Sequence, residues 1–471
     1  MATERIRTID DLRGRATVVL GLARSGGAAA RMLADAGAIV TAYDRLPAAE
    51  LGSAIDGLGG RAVQLLTGSP PSAVRDALLA ADLIVTSPSI SPDSPTTDPW
   101  LREALAGARE RGVELISEVE LFLRLTQARV LAVTGTKGKT TTTAMLGSIF
   151  ASAGLSHVVG GNIGQPLVEL AAELLPTDWA ILELSELQLP TISRGAEIAV
   201  YTNIGADHLD RHPGQAAYRV VKERLGLLTA PLGTVVLNGD DPGCRDLAAR
   251  LPADSVAWYG LEARPRQIAS LAGDRLTIRG RPILAAGDLR LPGRHMLADA
   301  LAAALAAHVA GISDDAISAG LRDFAGVPHR LELLGQWDGV RWVNDSQATI
   351  PLAAMAALDA YAPAPIVLIA GGKDKGLTYD ELADRVAERC AAVVLIGETG
   401  PILEGAIAGR VPVRRAATMA EAVTIAGDLA HPGMVVLLSP AAASFDMFTD
   451  YAARGDAFRA AVSARVGSAA S

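Results

Sequence analysis

The apolar positions fall into short, nearly continuous runs, each followed by a turn rich in Gly, Pro or Ser and then by a stretch with helical spacing. Continuous rather than alternating apolar runs are expected of strands buried on both faces, which means parallel sheets covered by helices. Runs at 17–21, 40–43 and 83–86 predict three such strands, with an Ala-rich helix to about residue 36 after the first. Further strands are expected at 130–133, 179–182 and 198–204, and again at 364–370, 391–396 and 434–438. The pattern predicts an α/β protein with a Rossmann-like N-terminal domain, a central phosphate-loop domain on a parallel sheet and a Rossmann-like C-terminal domain. Its boundaries are drawn at 1–125, 126–327 and 328–471. A chain of 471 residues is long enough for three domains at roughly 150 residues each.

Composition narrows the classes. Half the residues are hydrophobic but only 4% are aromatic, which suits α/β layers better than a sandwich. The net charge of −9 is spread along the chain without a basic block, so no nucleic-acid or anionic-membrane partner is expected. Cys244 and Cys390 are far apart and form no CxxC, which gives neither a disulfide framework nor a zinc signature and fits a reducing cytoplasm. The N-terminus is polar, and the apolar run 300–312 is too short to span a bilayer, so a soluble cytoplasmic protein is expected.

The strongest chemical signal is the stretch 133–142, Val-Thr-Gly-Thr-Lys-Gly-Lys-Thr-Thr-Thr, between a predicted strand and a predicted helix. Such a loop aims successive N–H groups and a helix N-terminus at one point, which holds a polyphosphate. Gly135, Thr136, Lys137, Gly138, Lys139, Thr140 and Thr141 are the candidate nucleotide-binding residues. Lys139 is placed to reach the β/γ-phosphates and the Thr140 hydroxyl to ligate Mg²⁺, although Val133 stands where the strict motif has its first Gly. Glu183 ends a predicted strand downstream, the position of a second Mg²⁺ contact. The N-terminal turn 21–27 is a degraded dinucleotide fingerprint, with Ala23 in place of the second Gly and Asp44 about twenty residues further on. Its residues suit NAD, a nucleotide sugar or a purely structural turn.

Taken together, Gly135 to Thr141, Gly161-Asn162-Ile163-Gly164, Glu183 to Gln188, Asn203 with Asp207-His208-Leu209-Asp210, and Tyr218-Arg219 with Lys222 resemble the Mur ligase family. So do Pro328-His329-Arg330, Asn344 to Thr349, Gly371 to Gly376 and Ala443-Ser444-Phe445-Asp446 in the last third. These ligases form amide bonds in peptidoglycan precursors with ATP, and the likeness is greatest to the branch that adds glutamate to UDP-N-acetylmuramoyl-L-alanine. The resemblance implies ATP and two Mg²⁺ ions as cofactors, with Thr140, Glu183, His208 and a carbamylated Lys222 at the metals. Lys139, His208 and Lys222 would be catalytic, and Arg330 and Asp345 would serve ATP. Ser25, Asp44, Ser87, Asn162, Ser185 and Gln188 would hold the UDP-muramoyl substrate. Thr349, Lys375, Ser444, Phe445 and Tyr451 would hold the incoming amino acid. The substrates would be small molecules and the working unit a monomer. Gln347, Met296, Asp299, Glu186 and Lys137 depart from the family pattern. Gln347 leaves open a relative that adds L-glutamate, and Met296 with Asp299 a nucleotide-sugar-binding homologue of weak activity.

Overall fold

The structure is a computed structural model that describes residues 6–94, 96–205, 214–262, 264–291, 293–374 and 376–469. It divides into two compact units, Met1–Phe324 and Ala325–Ser471. No described helix is long and apolar enough to cross a membrane.

The first unit contains two sheets. One is five-stranded and parallel, in the order Val63–Thr67, Ile39–Asp44, Ala16–Leu20, Leu83–Thr86, Glu114–Ser117. Its central strands are buried at almost every position, which is what their unbroken apolar runs require. The order reverses between Ala16–Leu20 and Leu83–Thr86, and the strands' carboxyl ends at such a switch point are where open α/β sheets receive ligands. Ser25, Asp44 and Ser87 all lie at or just beyond these ends.

The second sheet has nine strands, and its parallel part is built around Arg129–Thr134. Trp179–Glu183 and Ile198–Tyr201 flank that strand, and His157–Gly161 lies outside Trp179–Glu183. Helix Lys139–Ser152 follows the central strand and packs against helices Arg294–Val309 and Asp314–Asp323. The approach is close: a Cβ on Gly320 would lie 2.4 Å from the Ile149 Cα, so only glycine fits. The structure differs from the sequence expectation in detail. The stretch 160–164 reads in sequence as a Gly-rich turn, yet Gly160 and Gly161 belong to a strand, and the turn starts after Gly161, whose φ of +94° breaks the extended run. The strand expected at 198–204 stops at Tyr201, because Thr202 and Asn203 turn to bond the neighbouring loop. At the far edge, Gln267–Ala272, Arg275–Ile278 and Arg281–Ala285 form antiparallel hairpins that the apolar runs did not signal.

The two sheets of this unit are joined by a polar seam. Arg31 makes a two-pronged pair with Glu169, and Arg24 donates to the Gly164 carbonyl at 2.8 Å. Buried Glu120 accepts from the Ser193 amide at 2.8 Å, from the Ser193 hydroxyl and from Arg124. Its neighbour Glu118 is 3% exposed, and burial pushes its carboxyl up to about 7, against the opposing pull of the Val168 amide and Arg24. The folded chain therefore keeps this proton at a pH where the unfolded chain, near 4.5, has released it. Unfolding then releases a proton, and stability falls as pH rises between those values. Glu118→Gln is expected to stabilise the protein by about 2–3 kcal/mol at pH 8 and little at pH 4.5. Urea midpoints at the two pH values check this; an equal difference at both would refute it.

The second unit has one six-stranded sheet, ordered Glu332–Trp337, Val340–Asn344, Val435–Leu438, Ile366–Gly371, Cys390–Ile396, Val413–Arg415. Only the first pair is antiparallel. Apolar cores fill both faces, with Leu368 and Val393 on one side and Ile369 and Val394 on the other. The loops after Asn344, Leu438 and Gly371 leave from three adjacent strands at their carboxyl ends.

Candidate active site

The loop between Arg129–Thr134 and Lys139–Ser152 is shaped by two glycines with positive φ, Gly135 at +150° and Gly138 at +85°. A Cβ at Gly135 would meet the Thr202 Oγ1 at 1.9 Å, and one at Gly138 would meet the Asp299 Oδ1 at 2.3 Å. Both positions are closed to side chains by close packing as well as by backbone conformation. Asn203 grips the loop from the next strand. Its backbone carbonyl accepts from the Thr136 amide (3.0 Å), its side-chain oxygen from the Lys137 amide (2.9 Å), and its side-chain nitrogen donates to the Lys137 carbonyl (2.9 Å). The Thr202 hydroxyl donates to the same carbonyl at 2.6 Å. The Lys139 ammonium lies over the loop, 3.0 Å from the Gly135 carbonyl and 3.1 Å from that of Thr136. Thr140 is buried, Thr141 half-buried and Lys137 exposed. Asn203 was visible in the sequence as the end of an apolar run, whereas Thr202 gave no signal of its own.

Glu183 pairs with Val133 across the adjacent strands, which puts its carboxylate beside the start of the loop. It is 1% exposed. Oε1 accepts from the Asn162 side chain at 2.7 Å, and Oε2, also buried, accepts from no described residue. A buried carboxylate oxygen without a proton donor is costly unless a cation completes it. Carboxylate and hydroxyl oxygens are the donors a hard divalent ion takes, so Glu183 and Thr140 fit Mg²⁺. Ser185 and Gln188, in the loop after Glu183, are buried, with the Gln188 side-chain oxygen accepting from both the Ser185 amide and hydroxyl at 3.0 Å.

Lys222 enters from helix Gln215–Thr229 and is fully buried. Its ammonium donates to the Gly135 carbonyl at 3.0 Å, approaches the Thr134 hydroxyl at 3.4 Å and sits 5.5 Å from the Tyr218 ring centre. The Tyr218 hydroxyl is in turn 3.1 Å from that of Thr136. Loop, Glu183, Asn162 and Lys222 are thus brought together, while His208 lies outside the described residues.

In the N-terminal sheet, Asp44 is already engaged by the chain, accepting from the Leu22 amide at 2.8 Å and the Leu46 amide at 3.1 Å. The Ser87 hydroxyl is buried without a described partner, and a Cβ on Gly21 would come within 2.6 Å of it. Ser25 is half-buried in the first turn of its helix. The Arg24 bond to Gly164 ties this edge to the loop that carries Asn162.

The second unit gathers another cluster. Exposed Arg330 sits between His329 and Leu331, both left-handed at φ +62° and +45°. Such backbone persists only where its surroundings enforce it. Here the His329 amide donates to Glu332 (2.9 Å), and the Leu331 amide to Asp345 Oδ1 (3.1 Å). The Ser439 hydroxyl takes Asp345 Oδ2 at 2.7 Å. Burial pushes the Asp345 carboxyl up to about 6, opposed by Ser439, the Leu331 amide and Arg330. Ser444 is 1% exposed and its hydroxyl has no described partner, next to Phe445, which is largely exposed. Thr349 and Tyr451 are half-buried; Lys375 lies outside the described residues.

Residues 133–307 match the Mur ligase middle domain, and residues 329–442 match the Mur ligase glutamate ligase domain. The UDP-N-acetylmuramoylalanine--D-glutamate ligase of Symbiobacterium thermophilum is 41% identical over 96% of this chain and 98% of its own length. The chain belongs to the Mur ligase family. The ligase of the same name from Gloeobacter violaceus is also 41% identical, over 95% of this chain and 99% of that one. Among solved structures, UDP-N-acetylmuramate-alanine ligase from Thermotoga maritima shares the fold with a TM-score of 0.56, at 19% identity over 96% of this chain and 99% of that one.

Proposed function

We propose that this Mur ligase joins D-glutamate to UDP-N-acetylmuramoyl-L-alanine at the expense of ATP, as part of peptidoglycan precursor synthesis. The observation that carries the reading is the convergence of a glycine-shaped phosphate loop with a buried carboxylate oxygen that has no described proton donor, at the ends of adjacent strands. A carboxylate is a poor electrophile, so the alanine carboxylate first attacks the γ-phosphoryl group of ATP, which breaks its bond to the β-phosphate oxygen and releases ADP, to become an acyl phosphate. The loop amides and the Lys139 ammonium bind the triphosphate and spread its charge. The glutamate amine then attacks the acyl carbon, and inorganic phosphate leaves.

Two Mg²⁺ sites are part of the proposal, with Thr140, Glu183, His208 and a carbamylated Lys222 as ligands; bound there, Mg²⁺ neutralises the phosphate oxygens. Ser25, Asp44, Ser87, Asn162, Ser185 and Gln188 orient the nucleotide-sugar peptide, and Arg330 and Asp345 attend the ATP. Thr349, Lys375, Ser444, Phe445 and Tyr451 receive glutamate. The enzyme acts as a monomer in the cytoplasm, across three domains with the boundaries drawn from the sequence. Gln347, where the family carries a lysine, favours L-glutamate as the second reading.

Phosphate release with ATP, Mg²⁺ and UDP-N-acetylmuramoyl-L-alanine, in parallel with D-glutamate, L-glutamate and no amino acid, tests this. Release that depends on D-glutamate is expected. Dependence on L-glutamate moves the specificity, and no release with either removes the proposed activity.

A further inference from the structure

Arg454 is fully buried in helix Tyr451–Ala469, and no step above uses it. A cation taken out of water must be repaid by hydrogen bonds of good geometry. Arg454 makes four. Nε donates to the Ser346 hydroxyl at 3.0 Å and Nη2 to the Ser346 carbonyl at 2.9 Å. Nη1 donates to the carbonyls of Ala442 and Ala443 at 3.0 and 3.1 Å. The Ser346 hydroxyl passes its own proton to the Tyr451 carbonyl at 2.7 Å, closing the ring onto the first turn of the helix. Burial brings the guanidinium down to about 10, so it remains charged at neutral pH.

The acceptors sit on two different loops, and a third is tied to them. The Ala443 carbonyl also accepts from the Lys373 amide at 2.8 Å. A Cβ on Gly372 would meet that carbonyl at 2.0 Å and the Arg454 Nη1 at 3.0 Å, so the third loop runs directly against the same group. The three loops leave the carboxyl ends of the adjacent strands Val340–Asn344, Val435–Leu438 and Ile366–Gly371. The first two carry Thr349 and Ser444.

We propose that Arg454 is a positioning residue for the amino-acid substrate: its planar fork fixes the loop at Ser346 to the loop at Ala442–Ala443, and so sets the spacing of the groups that receive glutamate. The inference rests on the functional reading above. Lysine keeps the charge, but its three N–H groups leave one nitrogen and cannot reproduce the spread of a guanidinium over Ser346 and the Ala442–Ala443 carbonyls. Loosened loops raise the cost of ordering the site around its ligand and leave the phosphate loop untouched.

In Arg454→Lys, KM for D-glutamate is therefore expected to rise about tenfold or more and KM for ATP by less, since Asp345 precedes Ser346 on the same loop, while KM for UDP-N-acetylmuramoyl-L-alanine stays within about twofold. Amide exchange at Lys373 and at Ala443–Phe445 should quicken in the same variant. Equal KM changes for all three substrates, or a fall in kcat alone, would overturn the proposal. If Arg454→Lys does not fold, Ser346→Ala removes the Nε acceptor and the hydroxyl's bond to the Tyr451 carbonyl while leaving the other three bonds of Arg454 in place; it should show the same selective rise on a smaller scale, and an unchanged glutamate KM there overturns the proposal. Failure of the functional reading looks different: the unaltered protein itself would release no phosphate with glutamate, whereas the exchange measurement would still report whether Arg454 ties the loops, and unchanged exchange would overturn the tie.

Discussion

Lys139→Met is expected to lower ATP-dependent phosphate release by about a thousandfold or more while leaving binding of UDP-N-acetylmuramoyl-L-alanine intact. The ammonium is held 3.0 and 3.1 Å from two loop carbonyls, so it is already where a phosphate on the loop would need it. Neutral carbonyls are weaker partners for a cation than phosphate oxygens, and the ammonium can turn to the incoming charge without a rearrangement of the loop. The loop does not depend on this side chain for its shape, because Asn203 and Thr202 hold it from the neighbouring strand. The variant should consequently fold and bind its carboxylate substrate, losing only the charge stabilisation of transfer. Lys139→Arg should fare little better, since a planar fork is a different donor from a compact ammonium. Steady-state phosphate release, with calorimetric titration of the nucleotide-sugar peptide as the fold control, decides it. Activity of Lys139→Met within tenfold of the unaltered enzyme would mean that the loop amides carry the triphosphate by themselves.

What could be read from the sequence follows a physical division. The phosphate loop was legible because its chemistry is local: glycines, lysine and threonine are contiguous, and an apolar run places them at a strand end. Glu183 was legible for the same reason, as an acid closing a buried strand. Parallel strands such as Arg129–Thr134 and Ile366–Gly371 stood out because burial on both faces leaves no polar position to interrupt them, whereas Val63–Thr67 and Glu114–Ser117, at the edges of their sheet and only partly buried, did not. The hairpins from Gln267 to Ala285 did not, since their strands are short, open on Gln or Arg and are only partly buried, so no long apolar run marks them. Buried ions were the least visible. Arg454 lies in a helix whose Ala, Arg and Asp positions read as a solvated face, and its Ser346 partner is 108 residues away. Glu118 and Glu120 likewise look like a charged first helical turn, yet they are buried at a seam formed with residues 168 and 193. A long-range acceptor has no signature in the local sequence, so such residues emerge only once the chain is folded. The same holds for Asn162, whose place in a Gly-rich turn was evident but whose bond to Glu183 was not.

Lys222 is the second residue whose replacement should silence the enzyme, and it does so for a reason that separates two chemistries. The side chain is fully buried, with its nitrogen 3.0 Å from the Gly135 carbonyl and 3.4 Å from the Thr134 hydroxyl. If the nitrogen is carbamylated, as proposed, the group at this point is an anion able to share a metal with Glu183; if it is an ammonium, it is a cation facing the phosphate loop. Lys222→Ala is expected to lose about a thousandfold in phosphate release on the first account, with part of that recovered by millimolar formate or acetate, because a small carboxylate can take the vacated space. Lys222→Arg should remain inactive, since a guanidinium keeps its positive charge and does not take up CO₂. Protein prepared with ¹³C-bicarbonate should show a carbamate carbon signal that Lys222→Ala lacks, and activity should decline in CO₂-free buffer and return with bicarbonate. Full activity without CO₂, no carbamate signal and an active Lys222→Arg would together assign a cation to this position. Of the proposed metal ligands Lys222 would then drop out, and Glu183 would be left as the carboxylate that could hold Mg²⁺ beside the phosphate loop.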